Sequence, residues 1–203
     1  MFLFAANPEN DIRSRAKLFD YAFEGGKFSS DKDAYPNCQG VVGWINPDTN
    51  APEGDRIYVV LIVNDGFCGN NAEKLKLQFS NKNCFTGVTN EYDGKSNTMK
   101  LLQYGKEHGV SFPVAEYAFN YCQNGVKQGE AFIPASEQVN RVKANYDGML
   151  VPLMSIGCQR QGYMLSSTEI SEDKVWSCST YSIWESDVLL KTEPDSISCF
   201  IAY

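Results

Sequence analysis

Between Gly162 and Ser186 the chain reads GYMLSSTEISEDKVWSCSTYSIWES, a stretch with two Trp, two Tyr, many Ser and Thr, a single Lys, and no His or Arg. Side chains of these types can do two kinds of chemistry. Paired carboxylates, here drawn from Glu169, Glu172, Asp173, Glu185 and Asp187, can hydrolyse a glycosidic bond without a histidine. Aromatic faces with hydroxyl neighbours instead hold a ligand by stacking and hydrogen bonding and leave it unchanged. A solvated acidic face accounts for the carboxylates as well as an active site does, so binding is the reading this stretch favours. The candidate ligand-binding residues are Trp176, Ser179, Tyr181, Trp184 and Glu185. Trp176, within a strand-like run, also reads as a core side chain, whereas Tyr181 and Trp184 have polar neighbours that suit a half-exposed segment.

Other chemistry finds little support. The single histidine, His108, sits in GKEHGV at a helix end, where an imidazolium complements the helix dipole. No Ser or Cys lies at a spacing that marks it as its nucleophilic partner. Seven cysteines (38, 68, 84, 122, 158, 178 and 199) show no C-x-x-C spacing, which argues against zinc. Most of them read as small buried apolar side chains of a protein made in a reducing cytosol. TEPDS (192–196) superficially matches a lectin calcium motif, yet calcium takes about 6–8 oxygens and no companion element is present, so a proline turn is expected there. GFCGNN (66–71) lacks the lysine of a phosphate loop. The sequence implies no metal and no cofactor.

The chain has 203 residues, is 43% apolar and 21% charged, and carries a formal charge of −7. Such a chain buries roughly 70% of its unfolded surface and needs neither metal nor disulfide to fold. Net negative charge argues against nucleic acid and against docking on anionic lipid. No apolar run reaches the roughly 20 residues of a membrane span. Apolar Phe2–Ala6 is too short for the core of a signal peptide. Work outside a cell would then require another exit, such as the lysis that releases phage particles.

The elements that must position these residues divide near Tyr92. An N-terminal arm (1–20) precedes one domain (21–203), with a β-rich half (21–92) and a helical and display half (93–203). QGVVGWI (39–45) and RIYVVLIV (56–63) read as a hairpin around a long turn-rich loop, and Gly25-Gly26 as a tight turn between short strands. KLKLQF (74–79) alternates like a strand. Asn97 or Thr98 would cap a helix from Met99 to Gly109. A second helix is expected over 113–125, and a third from a Ser136 cap with Val139, Val142 and Tyr146 on one stripe. YMLSST, KVWSCSTYS, DVLLK and SISCFIAY then read as extended, the last tied into a sheet. Strands, helices and strands again make an α+β arrangement.

The motif order EYDGKSNT (91–98), FIPASEQV (132–139), YMLSSTE (163–169) and KVWSCS (174–179) resembles a family of bacterial and phage proteins with D-G-K-x-N-T, W-x-L-P and W-S-S-T-E segments. These are similar to C-type lectin-like domains, to retroelement-diversified variable domains and, by fold, to formylglycine-generating enzymes, whose catalytic segments this sequence lacks. Leu165 and Gln138 stand where the family has Trp and Glu. The resemblance covers about residues 20–203. It implies a C-type lectin-like fold in which Ser166, Ser167 and Thr168 tie down backbone near a display region. It also implies a non-enzymatic adhesin or receptor-recognition component of a phage virion, or of a cell surface. Its partners would be a host surface glycan or protein and other virion subunits, in a homo-oligomer. A structural fibre or decoration subunit is the alternative.

Overall fold

The computed structural model describes residues 11–62, 75–158, 163–180 and 186–203. Its centre is an antiparallel five-stranded sheet in the order β10-β4-β3-β1-β2, from β1 (Tyr21–Phe23), β2 (Lys27–Ser29), β3 (Cys38–Ile45), β4 (Ile57–Leu61) and β10 (Phe200–Ala202). The β3–β4 hairpin expected from these two runs forms, pairing Ile45 with Ile57 and Gly40 with Leu61. Strand period then splits β4 in two. Ile57, Val59 and Leu61 enter one core cluster, while Tyr58 and Val60 enter a second on the opposite face. All five residues of β4 are buried, because both faces of the sheet are covered.

Helices α1 (Gly94–His108) and α2 (Pro113–Asn120) cover the first face through Leu101, Phe112, Val114, Ala115 and Ala118. Helices α3 (Ser136–Lys143) and α4 (Tyr146–Ser155) cover the second through Val139, Val142, Tyr146, Met149 and Leu153. Gly43 of β3 permits that approach: a Cβ there would lie 2.9 Å from Val142 and 3.0 Å from Met149. A three-stranded sheet, β6 (Tyr163–Glu169), β7 (Lys174–Ser179) and β8 (Ser186–Leu190), adds residues to both clusters. Two short strands, β5 (Lys76–Leu77) and β9 (Asp195–Ser196), pair with each other.

Four helix boundaries differ from the sequence expectation. Helix α1 starts at Gly94, five residues before Met99, because the Asp93 carboxylate accepts from Ser96 N–H at 2.9 Å and takes the cap. Asn97 and Thr98 are buried inside the helix; Gly109 does end it, with φ 64°. Helix α2 stops at Asn120 and not at Gly125. Ser136 is the first residue of α3 and not its cap, since Gln138 Oε1 accepts from Ala135 N–H and Thr168 Oγ1 from Ser136 N–H, both at 3.0 Å. The stripe running on to Tyr146 breaks after Lys143: Tyr146 opens α4, where Asn145 Nδ2 donates to Gly43 O at 3.0 Å. The KLKLQF strand shrinks to Lys76–Leu77.

Residues 11–20 lie against this body. Phe19 N–H donates to Val42 O and Val42 N–H to Asp20 O, both at 2.9 Å, while Arg13 reaches Thr49 O at 2.8 Å. At the other end Phe200–Ala202 pair with Tyr58–Val60, so the C-terminal strand is tied into the main sheet as expected. Among the described residues, no helix is long and apolar enough to cross a membrane.

Candidate recognition face

The small sheet is held in place by the Ser-Ser-Thr-Glu run of β6. Ser167 N–H donates to Pro134 O at 2.8 Å, and Asn97 Nδ2 donates to Ser167 Oγ at 3.2 Å. Thr168 Oγ1 donates to Asn90 O at 3.1 Å, and Ser166 Oγ accepts from Thr168 N–H at 2.8 Å. These side chains therefore fasten β6 to the segments that open α1 and α3, the backbone-satisfying role expected of them.

Glu169 departs from the expected acidic face. Its side chain is fully buried and ion-paired at 2.7 Å to Lys191 Nζ, itself fully buried. The other carboxylate oxygen accepts from Thr86 N–H at 2.9 Å, Thr86 Oγ1 at 2.7 Å and Val88 N–H at 3.1 Å. Lys191 also donates to Cys84 O at 2.7 Å and lies 5.7 Å from the Phe79 ring centre. A buried charge survives when it is paired and hydrogen-bonded, and this pair meets both conditions. The arrangement is a clamp: residues 84–88, the end of β6 and the residue after β8 meet at one point. Of the other expected acids, Asp173 is held below the usual carboxylate range by the Ser171 hydroxyl; Glu185 lies outside the described residues.

Above this clamp, β7 and β8 form a hairpin. Val175 and Leu189 pair across it and face the core, whereas Trp176 with Val188 and Lys174 with Leu190 occupy the opposite face. Trp176 is half-buried, with part of its ring on the second core cluster. Val188 and Leu190 are 45% and 41% exposed, and β8 is an edge strand. Ser179 is buried at the end of β7, paired with Tyr163 of β6. Tyr181, Trp184 and Glu185 fall in the connection 181–185, outside the described residues; the paired residues Cys178 and Ser186 flank that connection. The structure thus places Trp176 against the second core cluster, on the strand face it shares with buried Cys178, and Ser179 at the buried end of β7.

The remaining reactive groups sit apart. His108 stacks on Tyr104 with ring centres 4.0 Å apart, its Nδ1 3.0 Å from Tyr104 O, at the helix end as expected. Cys38, Cys84, Cys122, Cys178 and Cys199 are free thiols, of which Cys122 is exposed and Cys178 and Cys199 are buried; Cys68 lies outside the described residues. Burial pushes the Cys199 thiol far up, away from the reactive thiolate. TEPDS forms a turn leading into β9. Among the described residues, no group of three or more His, Cys, Asp or Glu side chains is placed to hold a metal. Sequence reasoning missed Lys191 as the partner of Glu169. Its one signal was a lysine closing an otherwise apolar strand, DVLLK.

No family model and no curated protein sequence matches this chain. Its fold is similar to that of a fimbrial protein from Bacteroides ovatus, with a TM-score of 0.65 and 15% sequence identity over 93% of this chain. The match covers 49% of the fimbrial chain, so this chain spans about half that protein's length. At that identity the likeness is one of architecture: the chain is an α+β protein whose fold recurs within a bacterial fimbrial protein.

Proposed function

We propose that this protein is a C-type lectin-like recognition module of an extracellular assembly, an adhesin or receptor-recognition component that holds its partner without transforming it. The observation that carries this reading is the β7–β8 hairpin. Its base is fixed by the buried Glu169–Lys191 pair, Val188 and Leu190 are exposed on β8, and its connection carries Tyr181, Trp184 and Glu185. A rigid base under an aromatic segment lowers the entropy lost when a partner is bound. The fimbrial neighbour favours a bacterial surface appendage as the setting over a phage virion.

The second reading is a structural subunit, and the exposed edge strand β8 favours it. Val188 and Leu190, 45% and 41% exposed on that strand, offer another chain an apolar surface to pack against. Binding of the purified protein to intact bacteria and to their isolated surface polysaccharides separates the two readings. Recognition predicts saturable binding that Tyr181→Ala/Trp184→Ala abolishes. A stable oligomer that binds no surface would support the structural subunit instead.

A further inference from the structure

A cavity of about 440 Å³ lies away from the β7–β8 hairpin, between the β3–β4 connection and the first turn of α1, with Phe132 and Ala202 among its lining residues. That volume is within the usual range for small-molecule sites. Arg141 of α3 also lines it, and the guanidinium is held unusually firmly for a group so near the surface. One nitrogen, Nη1, donates to Asp55 Oδ1 and to Tyr58 Oη, each at 3.0 Å. The guanidinium carbon sits 4.6 Å from the centre of the Trp44 ring, and Trp44 in turn stacks on Tyr58 with centres 4.8 Å apart. A guanidinium has five N–H donors. Those on Nε and Nη2 meet no acceptor among the described residues. A purely structural ion pair would use the fork bidentately; here it is fixed by its face and one corner.

The rest of the cavity suggests what would use those donors. Tyr92, 60% exposed, stands among the lining residues and presents an uncovered aromatic face. Glu53, Asp93 and Glu130 supply acceptors, and Lys95 is their one counter-charge once Asp55 and Arg141 neutralise each other. The balance is negative, which disfavours phosphate, sulfate or a uronic acid. A partner with hydroxyls to give and to accept and an apolar C–H face for an aromatic ring fits each of these features.

We propose that this cavity binds an uncharged saccharide, with Tyr92 stacking on a sugar face, Arg141 donating to ring or hydroxyl oxygens, and the rim carboxylates accepting from hydroxyls. The site stands independently of the display segment. The test is titration of the full chain with neutral trisaccharides (maltotriose, cellotriose, mannotriose and N,N′,N″-triacetylchitotriose) and with trigalacturonate, followed by calorimetry and tryptophan fluorescence. At least one neutral sugar binds with one-to-one stoichiometry, and trigalacturonate does not. Tyr92→Ala weakens binding about tenfold with an unchanged melting temperature, since the ring is mostly in water. Arg141→Lys, which keeps the charge but loses the planar fork, does the same. The trisaccharides report on this cavity and intact bacteria on the display segment, so failure of the one and failure of the other are separable. No binding by any of the neutral sugars, undiminished binding by Tyr92→Ala, or preference for trigalacturonate would overturn the proposal.

Discussion

Glu169 carries a residue type that invites a catalytic reading and an environment that removes it. The carboxylate accepts from Thr86, Val88 and Lys191 in a site closed to water, so it is neither a free base nor a proton donor to a ligand. Removing one partner leaves an unpaired buried charge. Glu169→Gln or Lys191→Met is therefore expected to lower unfolding free energy by about 3–5 kcal/mol in urea titration, with the double variant costing less than the sum of the two. Single variants within about 0.5 kcal/mol of the parent would mean that the clamp does not hold the fold. The Ser-Ser-Thr-Glu run was legible as a fastener because short hydroxyl side chains so often bond nearby backbone. Its lysine was not, because pairing between residues 169 and 191 depends on the two strands lying between them, and no sequence spacing encodes that.

At the scale of elements, the junction of α1 with α3 shows why the Asp-Gly-Lys segment has its glycine. A Cβ on Gly94 would lie 2.4 Å from Ile133 O and 2.6 Å from Ala135 N, inside the turn that opens α3. Gln138 Oε1 bridges the two helix starts, accepting from Gly94 N–H at 2.9 Å and from Ala135 N–H at 3.0 Å. Gly94→Ala should cost about 1–3 kcal/mol through displacement of backbone that has nowhere to go. Gln138→Ala should cost more, about 1–3 kcal/mol for each of the two donors left buried without a partner. Thermal melts of both variants check this; parent-like melting of Gly94→Ala would show that the two helix starts separate easily. The β3–β4 hairpin and the Gly109 helix end were readable, since β-branched runs around a turn cluster and a helix-ending glycine are local signals. The start of α1 and the break between α3 and α4 were not. Glycine is a poor helix former and gives no start signal at Gly94, and Tyr146 continues the stripe of Val139 and Val142 even though the backbone turns between them.

For the molecule as a whole, two cores on opposite faces of one sheet leave several phenols out of water. Burial, and then the hydrogen bond to Asp55, pushes Tyr58 up to about 12; burial, and then the nearby Glu130, does the same for Tyr203. Tyr121, which donates to Ile62 O at 2.7 Å, is raised still further by burial. The folded state holds these protons more tightly than the unfolded chain, whose phenols titrate near 10. Their contribution to stability is therefore complete below about pH 10 and is lost as the pH rises toward 12. Ultraviolet titration should show exposed tyrosines ionising first and the buried group later, together with unfolding. One transition near pH 10 with the fold intact would contradict the burial of these rings.

The central claim is that a rigid scaffold carries a recognition segment whose chemistry is separable from the fold. Replacing residues 181–185 with Gly-Ser-Gly-Ser-Gly, then measuring urea stability and binding to intact bacteria on the same preparation, tests it most directly. The account predicts stability within about 0.5 kcal/mol of the parent and loss of surface binding. Retained binding, or collapse of the fold, would contradict it.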